Sequence, residues 1–95
     1  MSELVATFQK DPDEVLDYTL DWSTALAGDT ISGTNSTWLT PDGLTQVVSP
    51  APSNTTTTTT VWLSGGTSPT DYCVENTIIT TGGRTIQAHM LIQVR

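Results

Sequence analysis

The last quarter of the chain, residues 71–95, has the most regular alternation of apolar and polar positions. Two alternating runs flank the break Gly82-Gly83-Arg84. The same-side positions are Tyr72, Val74, Asn76 and Ile78 in the first run and Ile86, Ala88, Met90, Ile92 and Val94 in the second. A period of two with a Gly-rich break predicts a β-hairpin. Because a hairpin alone is marginal in water, we expect upstream strands to cover its apolar row.

Four upstream segments also carry strand patterns. In residues 15–22, apolar and aromatic residues alternate with Asp and Thr, which predicts a half-buried strand with a wet acidic face. The other predicted strands are residues 30–39 with a bulge at Gly33, residues 44–49, and residues 55–63, which begin with six consecutive Thr. The predicted connections are a loop with one helical turn at 23–29, a turn at 41–43, and loops at 50–54 and 64–70. Six to seven strands with short connections predict an all-β, two-sheet antiparallel β-sandwich.

The N-terminal segment differs from the rest of the pattern. Residues 1–10 contain the apolar residues Leu4, Val5 and Phe8 and are expected to form an N-terminal arm or an edge strand. Residues 11–95 are then expected to form the single sandwich domain, because 95 residues leave room for one small core.

Composition and charge narrow the functional classes. The chain has ten acidic residues against Lys10, Arg84 and Arg95, a net charge of −7, which argues against nucleic-acid and anionic-membrane partners. The N-terminus lacks the apolar core of a signal peptide, so we expect synthesis and folding in the cytosol. Cys73 is the single cysteine and has no partner for an intrachain disulfide.

The chemistry-bearing residues do not predict an enzyme. Cys73 has only His89 as a base, and both fall on the less apolar side of the predicted hairpin. A calcium site within the acidic residues 11–17 remains open, although their spacing does not match an EF-hand loop. Turn capping and a solvated strand face are the alternative explanation. We therefore expect no catalytic, metal-binding or cofactor-binding residues.

The three tryptophans are expected in the core, since each lies on a predicted strand. For Trp62, a position on the surface is also possible from the pattern. It stands between Val61 and Leu63, so either Trp62 or its neighbours must point outward. That makes it a candidate contact for a partner.

The sequence resembles a known protein family. The motifs that carry the resemblance are KDPDEVLDY at 10–18, Asp21-Trp22, Asp29-Thr30-Ile31, Trp38, Leu63-Ser64-Gly65-Gly66 and Gly83-Arg84. Together they are similar to the small Ig-like proteins of tailed bacteriophages known as fiber–tail adaptors, over about residues 8–94. The resemblance implies an Ig-like sandwich and a non-enzymatic part of the virion. A tyrosine two residues before a core strand position, as Tyr72 is before Val74, is also typical of immunoglobulin domains.

The resemblance implies an adaptor that links the tail or baseplate to receptor-binding fibers. We expect virion proteins as partners, copies in a symmetric ring, and assembly in the host bacterial cytoplasm. Two alternatives stay open: a capsid decoration protein and a carbohydrate-binding module that contacts the host. Removal of residues 2–9 is expected to leave the sandwich folded but to abolish incorporation into particles. The candidate partner-binding residues are Leu4, Val5, Phe8, Pro50, Pro52, Trp62 and Arg84.

Overall fold

A computed structural model describes residues 4–95, with side chains described from residue 6 onward. Eight strands and one short helix follow in chain order: β1 Leu4–Lys10, β2 Leu16–Asp21, α1 Ser23–Leu26, β3 Ile31–Leu39, β4 Leu44–Gln46, β5 Ser53–Asn54, β6 Thr58–Gly65, β7 Thr70–Thr80 and β8 Thr85–Val94. The predicted all-β sandwich is confirmed.

The strands form two sheets. Sheet A has the order β1-β8-β7-β3, and sheet B has the order β2-β6-β4, with β5 also paired to β6. The predicted C-terminal hairpin is the β7–β8 pair, in register from Thr70 opposite Val94 to Ile79 opposite Thr85. In sheet A, β3, β7 and β8 correspond to strands C, F and G of an immunoglobulin domain. In sheet B, β2, β6 and β4 correspond to strands B, E and D.

Four details differ from the sequence prediction. The sandwich is not wholly antiparallel, because β1 pairs parallel with β8 as an edge strand of sheet A. The strand predicted at 44–49 ends at Gln46. The predicted loop at 50–54 contains the two-residue strand β5. The threonine run enters the sheet only at Thr58, because the Thr55 hydroxyl accepts the amides of Thr57 and Thr58 and closes a turn.

The core lies between the sheets and is filled by the alternate positions of their strands. The predicted inward rows of β7 and β8 are all buried there, including Asn76. Sheet B contributes four large apolar side chains from β2 and β6: Tyr18, Leu20, Val61 and Leu63. Trp22 is fully buried, Trp38 packs partly buried against the core, and β3 has the predicted irregularity between Ile31 and Ser36.

Tyr72 forms the tyrosine corner of the immunoglobulin type. Its hydroxyl accepts a hydrogen bond from the backbone amide of Thr67 at 3.0 Å, five residues upstream. Gly43 and Gly66 flank its ring and both have positive φ; a Cβ on Gly43 would lie 3.0 Å from the ring, and one on Gly66 would lie 2.7 Å from Val94. Glycine is therefore required at both positions, and the Gly-containing turns close around one buried aromatic ring.

A buried chain of hydrogen bonds joins the two sheets. The Trp22 indole Nε1 donates to the Thr59 hydroxyl at 2.9 Å, and Thr59 donates to Asn76 Oδ1 at 2.6 Å. The Asn76 amide then donates to Ser36 Oγ and to the Thr37 carbonyl oxygen, both at 2.9 Å. Trp22, Thr59 and Asn76 are each fully buried, so their polar atoms depend on one another for hydrogen bonds.

Candidate partner-binding surfaces

The outer face of sheet A carries Cys73 and His89, on the side where the alternation placed them. Cys73 is exposed and lies opposite Leu91, whereas His89 lies opposite Glu75, with His89 Nε2 3.2 Å from Glu75 Oε2. Cys73 and His89 therefore do not lie opposite each other in the β7–β8 pair. The arrangement places a His–Glu hydrogen bond and an exposed thiol on a sheet surface.

The acidic segment between β1 and β2 forms a turn. The Asp11 amide donates to Glu14 Oε1 at 2.8 Å, and the Glu14 amide donates to the Asp11 carbonyl oxygen at 3.1 Å. Glu14 thus caps the turn. Within residues 4–95, no group of three or more His, Cys, Asp and Glu side chains is placed to hold a metal ion. Nor does that part of the chain contain a helix long and apolar enough to cross a membrane.

The outer face of sheet B is built around Trp62. Val61 and Leu63 are fully buried, so Trp62 points away from the core and is partly exposed. Asp17 lies directly opposite it on β2, and the next outward pair, Thr19 and Thr60, joins its hydroxyls at 2.9 Å. We call this surface the Trp62 face; its outward residues are Asp17, Thr19, Asp21, Thr45, Ser53, Thr58, Thr60, Trp62 and Ser64.

Exposed apolar side chains border the Trp62 face. Val15 is 52% exposed where the chain enters β2, and Val48 is 82% exposed beyond β4. The amide of Val47 donates to the Trp62 carbonyl oxygen at 2.9 Å, which holds the segment leading to Val48 beside β6. The face therefore combines an aromatic centre, hydroxyl and carboxylate groups, and an apolar margin.

Charge is distributed unevenly over the described residues. All three Lys and Arg side chains are engaged within the fold: the Lys10 ammonium donates to two carbonyl oxygens at 2.8 and 2.6 Å, Arg84 pairs with Asp29 at 3.0 Å, and Arg95 pairs with Asp71 at 2.9 Å. By contrast, six side-chain carboxylates have no ion-pair partner among residues 4–95: Asp11, Asp13, Glu14, Asp17, Asp21 and Asp42. All of them except Asp42, which lies in the β3–β4 turn, are on β2 or in the turn before it.

The loop with Pro50 and Pro52 borders a groove between the two sheets. Pro50 is exposed, and Pro52 is half-buried. The groove has a volume of about 240 Å³ and is lined by Thr34, Ser36, Pro52, Ser53 and Asn54. The Asn54 side-chain amide donates to the Gly33 carbonyl oxygen at 2.8 Å, so β5 is tied to the bulged part of β3. The groove has neutral hydroxyl and amide walls.

Arg84 holds the hairpin tip against the rest of the fold. Its guanidinium donates to the Leu26 carbonyl oxygen at 2.8 Å as well as to Asp29. Hydrogen bonds to Asp29 from the Thr80 hydroxyl, and then from the Thr30 amide, lower the pKa of that carboxyl to about 2. The tip is exposed, but the Arg84 side chain links it to α1 and Asp29; we call these contacts the Arg84 clamp.

The candidate partner-binding residues of the N-terminal segment are Leu4, Val5 and Phe8. Phe8 is half-buried, and its ring meets the Tyr18 ring edge-on with centroids 5.2 Å apart. The side chains of Leu4 and Val5 lie outside the described residues, although the backbone of both pairs with β8. Phe8 therefore joins β1 to the core, and the expectation that the sandwich stays folded without residues 2–9 conflicts with this packing.

Comparison with known proteins gives one family and a fold match. The family model Gp77, described as podophage GP4 fiber-tail adaptor protein gp77, matches residues 10–93. No curated protein sequence matches the chain. A crystal structure of a 2,6-sialyltransferase from Vibrionaceae Photobacterium sp. JT-ISH-224, with CMP and lactose, is similar with a TM-score of 0.55 and 15% identity, covering 98% of this chain and 18% of the enzyme chain. At that identity the likeness shows the sandwich fold alone.

Proposed function

We propose that this chain, which belongs to the Gp77 family of podophage GP4 fiber–tail adaptor proteins, joins the phage tail to its receptor-binding fibers as a structural part. The family match over residues 10–93 is the observation that carries the proposal. Family membership implies a non-enzymatic role, a place in the tail of the virion and binding to tail or fiber proteins. The exact joint and the number of copies belong to the proposal.

The shape of the domain supports a bridging role. A sandwich presents two outer faces on opposite sides, and here they differ in chemistry. The outer face of sheet A carries Cys73, Leu91 and the His89–Glu75 pair, whereas the Trp62 face carries hydroxyl groups and unpaired carboxylates. Two dissimilar surfaces, held at a fixed separation by one core, suit two different partners.

The proposed contacts differ in how much the structure supports them. Trp62, Pro50 and Pro52 have surface available for a partner. Phe8 and Arg84 contact the fold itself, so we propose only a supporting role for them, in positioning β1 and the hairpin tip. Leu4 and Val5 stay proposed contacts on the β1 edge. A symmetric ring of copies around the tail, assembled in the host cytoplasm, is the arrangement we propose for the adaptor.

Co-sedimentation with purified virion parts tests the proposal. The purified chain is mixed separately with fiberless tails, with free fibers and with capsids from a mutant phage lacking this gene. We expect the chain to sediment with tails. When fiberless tails and free fibers are mixed together, the fibers should sediment with the tails only if the chain is added. Sedimentation with capsids alone would instead identify a decoration protein. Binding to host surface glycans without binding to tails or fibers would identify a carbohydrate-binding module.

A further inference from the structure

The Trp62 face brings an indole and a carboxylate into direct register. Trp62 and Asp17 are opposite residues of the antiparallel β2–β6 pair, and both point outward. Opposite Cβ atoms in such a pair are about 4.5–5.5 Å apart. One planar cation can therefore lie over the indole and reach the carboxylate at the same time.

The cations of this chain do not occupy that position. Lys10, Arg84 and Arg95 are held by the carbonyl and carboxylate groups described above, and no ion pair of Asp17 occurs among residues 4–95. The neighbouring carboxylates on β2 and the preceding turn add negative charge of the same sign. The face thus has the charge and the aromatic surface that complement a positive partner.

We propose that the Trp62 face docks an arginine-bearing surface of a partner virion protein, with the guanidinium stacked on Trp62 and paired with Asp17. Arginine fits better than lysine because its guanidinium is planar, stacks on aromatic rings and binds carboxylates with two parallel hydrogen bonds. The apolar margin at Val15 and Val48 supplies contacts around that centre. A neutral sugar would use the indole and the hydroxyl groups but not the concentration of unpaired carboxylates. The proposal rests on the adaptor function and specifies one of its two contacts.

Binding measurements on four variants test this contact. Asp17→Asn removes the charge, Trp62→Leu removes the aromatic face but keeps apolar volume, and the double variant removes both. Asp42→Asn is the matched control, because Asp42 is an exposed carboxylate in the β3–β4 turn. Affinity is measured by biolayer interferometry against two probes, immobilised fiberless tails and immobilised fibers, at low and high NaCl. Thermal unfolding confirms that each variant is folded; if Trp62→Leu is not, the test rests on Asp17→Asn against Asp42→Asn.

For one of the two probes, we expect Asp17→Asn and Trp62→Leu each to weaken binding about tenfold, and Asp42→Asn less than about twofold. The double variant should lose less than the product of the single losses, because both side chains hold the same cation. Raising the salt concentration should weaken the wild type more than Asp17→Asn. If Asp17→Asn behaves like Asp42→Asn on both probes, the docking proposal is wrong while the adaptor function stands. If the wild type binds neither tails nor fibers, the adaptor function is wrong as well. Salt-insensitive binding of the wild type to a glycan array would then indicate a carbohydrate-binding module.

Discussion

The buried hydrogen-bond chain across the core makes Thr59 the most sensitive position in the threonine run. Thr59→Val keeps the side-chain shape but removes the hydroxyl that accepts from Trp22 and donates to Asn76. Both partners are fully buried, so neither can turn to solvent for a replacement. An unsatisfied buried polar group costs about 1–3 kcal/mol. With two such groups left behind, we expect a loss of about 3 kcal/mol in the free energy of unfolding.

Urea unfolding followed by tryptophan fluorescence measures that loss. For a small domain with an m-value of about 1–3 kcal/mol/M, the midpoint should fall by at least about 1 M at an unchanged m-value. Thr60→Val is the matched control, since its hydroxyl lies on the outer face and bonds only to Thr19. We expect that control to change stability by no more than about 0.5 kcal/mol. If the two variants unfold at the same urea concentration, the buried chain of hydrogen bonds does not stabilise the core.

Three further predictions concern titration and packing. Asp29 has a folded pKa of about 2, below the 3.8 of an ordinary aspartate. Its contribution to folding stability is therefore present above pH 3.8 and is lost as the pH falls toward 2. The melting temperature of the wild type should therefore fall more over that pH range than the melting temperature of Asp29→Asn. Parallel plots of melting temperature against pH would contradict the stabilising role of Asp29. Burial, with the charges of Glu14 and Asp17, raises the pKa of Tyr18 to about 12, and its hydroxyl has no hydrogen-bond partner among the described residues. Tyr18→Phe should raise the free energy of unfolding by about 1 kcal/mol, because it removes a buried hydroxyl without a partner. It should also remove the loss of stability between pH 10 and 12, where the tyrosine ionises in the unfolded chain but not in the folded one. A less stable Tyr18→Phe variant would show that the hydroxyl forms a hydrogen bond. Deletion of residues 2–9 removes most of β1 and should lower the unfolding midpoint in urea, which an unchanged midpoint would contradict.

The sequence predicted the strands whose alternation is complete. β2, β7 and β8 each bury one side, and their positions followed from a period of two. The spacing of Tyr72 and Val74 likewise indicated an immunoglobulin-type core position, and the structure adds the hydrogen bond from the Thr67 amide to the Tyr72 hydroxyl. What these elements share is that the pattern is local, so neighbouring residues are enough to show it.

The elements that were missed depend on distant residues. The strand β5 has only two residues and exists because β6 lies beside it. The threonine run gave no sign that Thr59 alone would be buried between an indole and an amide from other strands. Lys10 is almost fully buried, and its ammonium donates a hydrogen bond to a carbonyl oxygen 55 residues away, which no local pattern indicates. At the Trp62 face, the sequence indicated that either Trp62 or its neighbours would point outward. It could not indicate the carboxylate opposite Trp62, because strand register is a tertiary property.

A virion reconstruction of the phage tests the adaptor function most directly. At a resolution that resolves β-strands, the eight-stranded sandwich can be fitted as a rigid body and its neighbours identified. We expect density for this domain at the joint between tail and fibers, with its two sheets facing different proteins. Density for the domain on the capsid lattice, or a tail–fiber joint that is complete without it, would contradict the adaptor function.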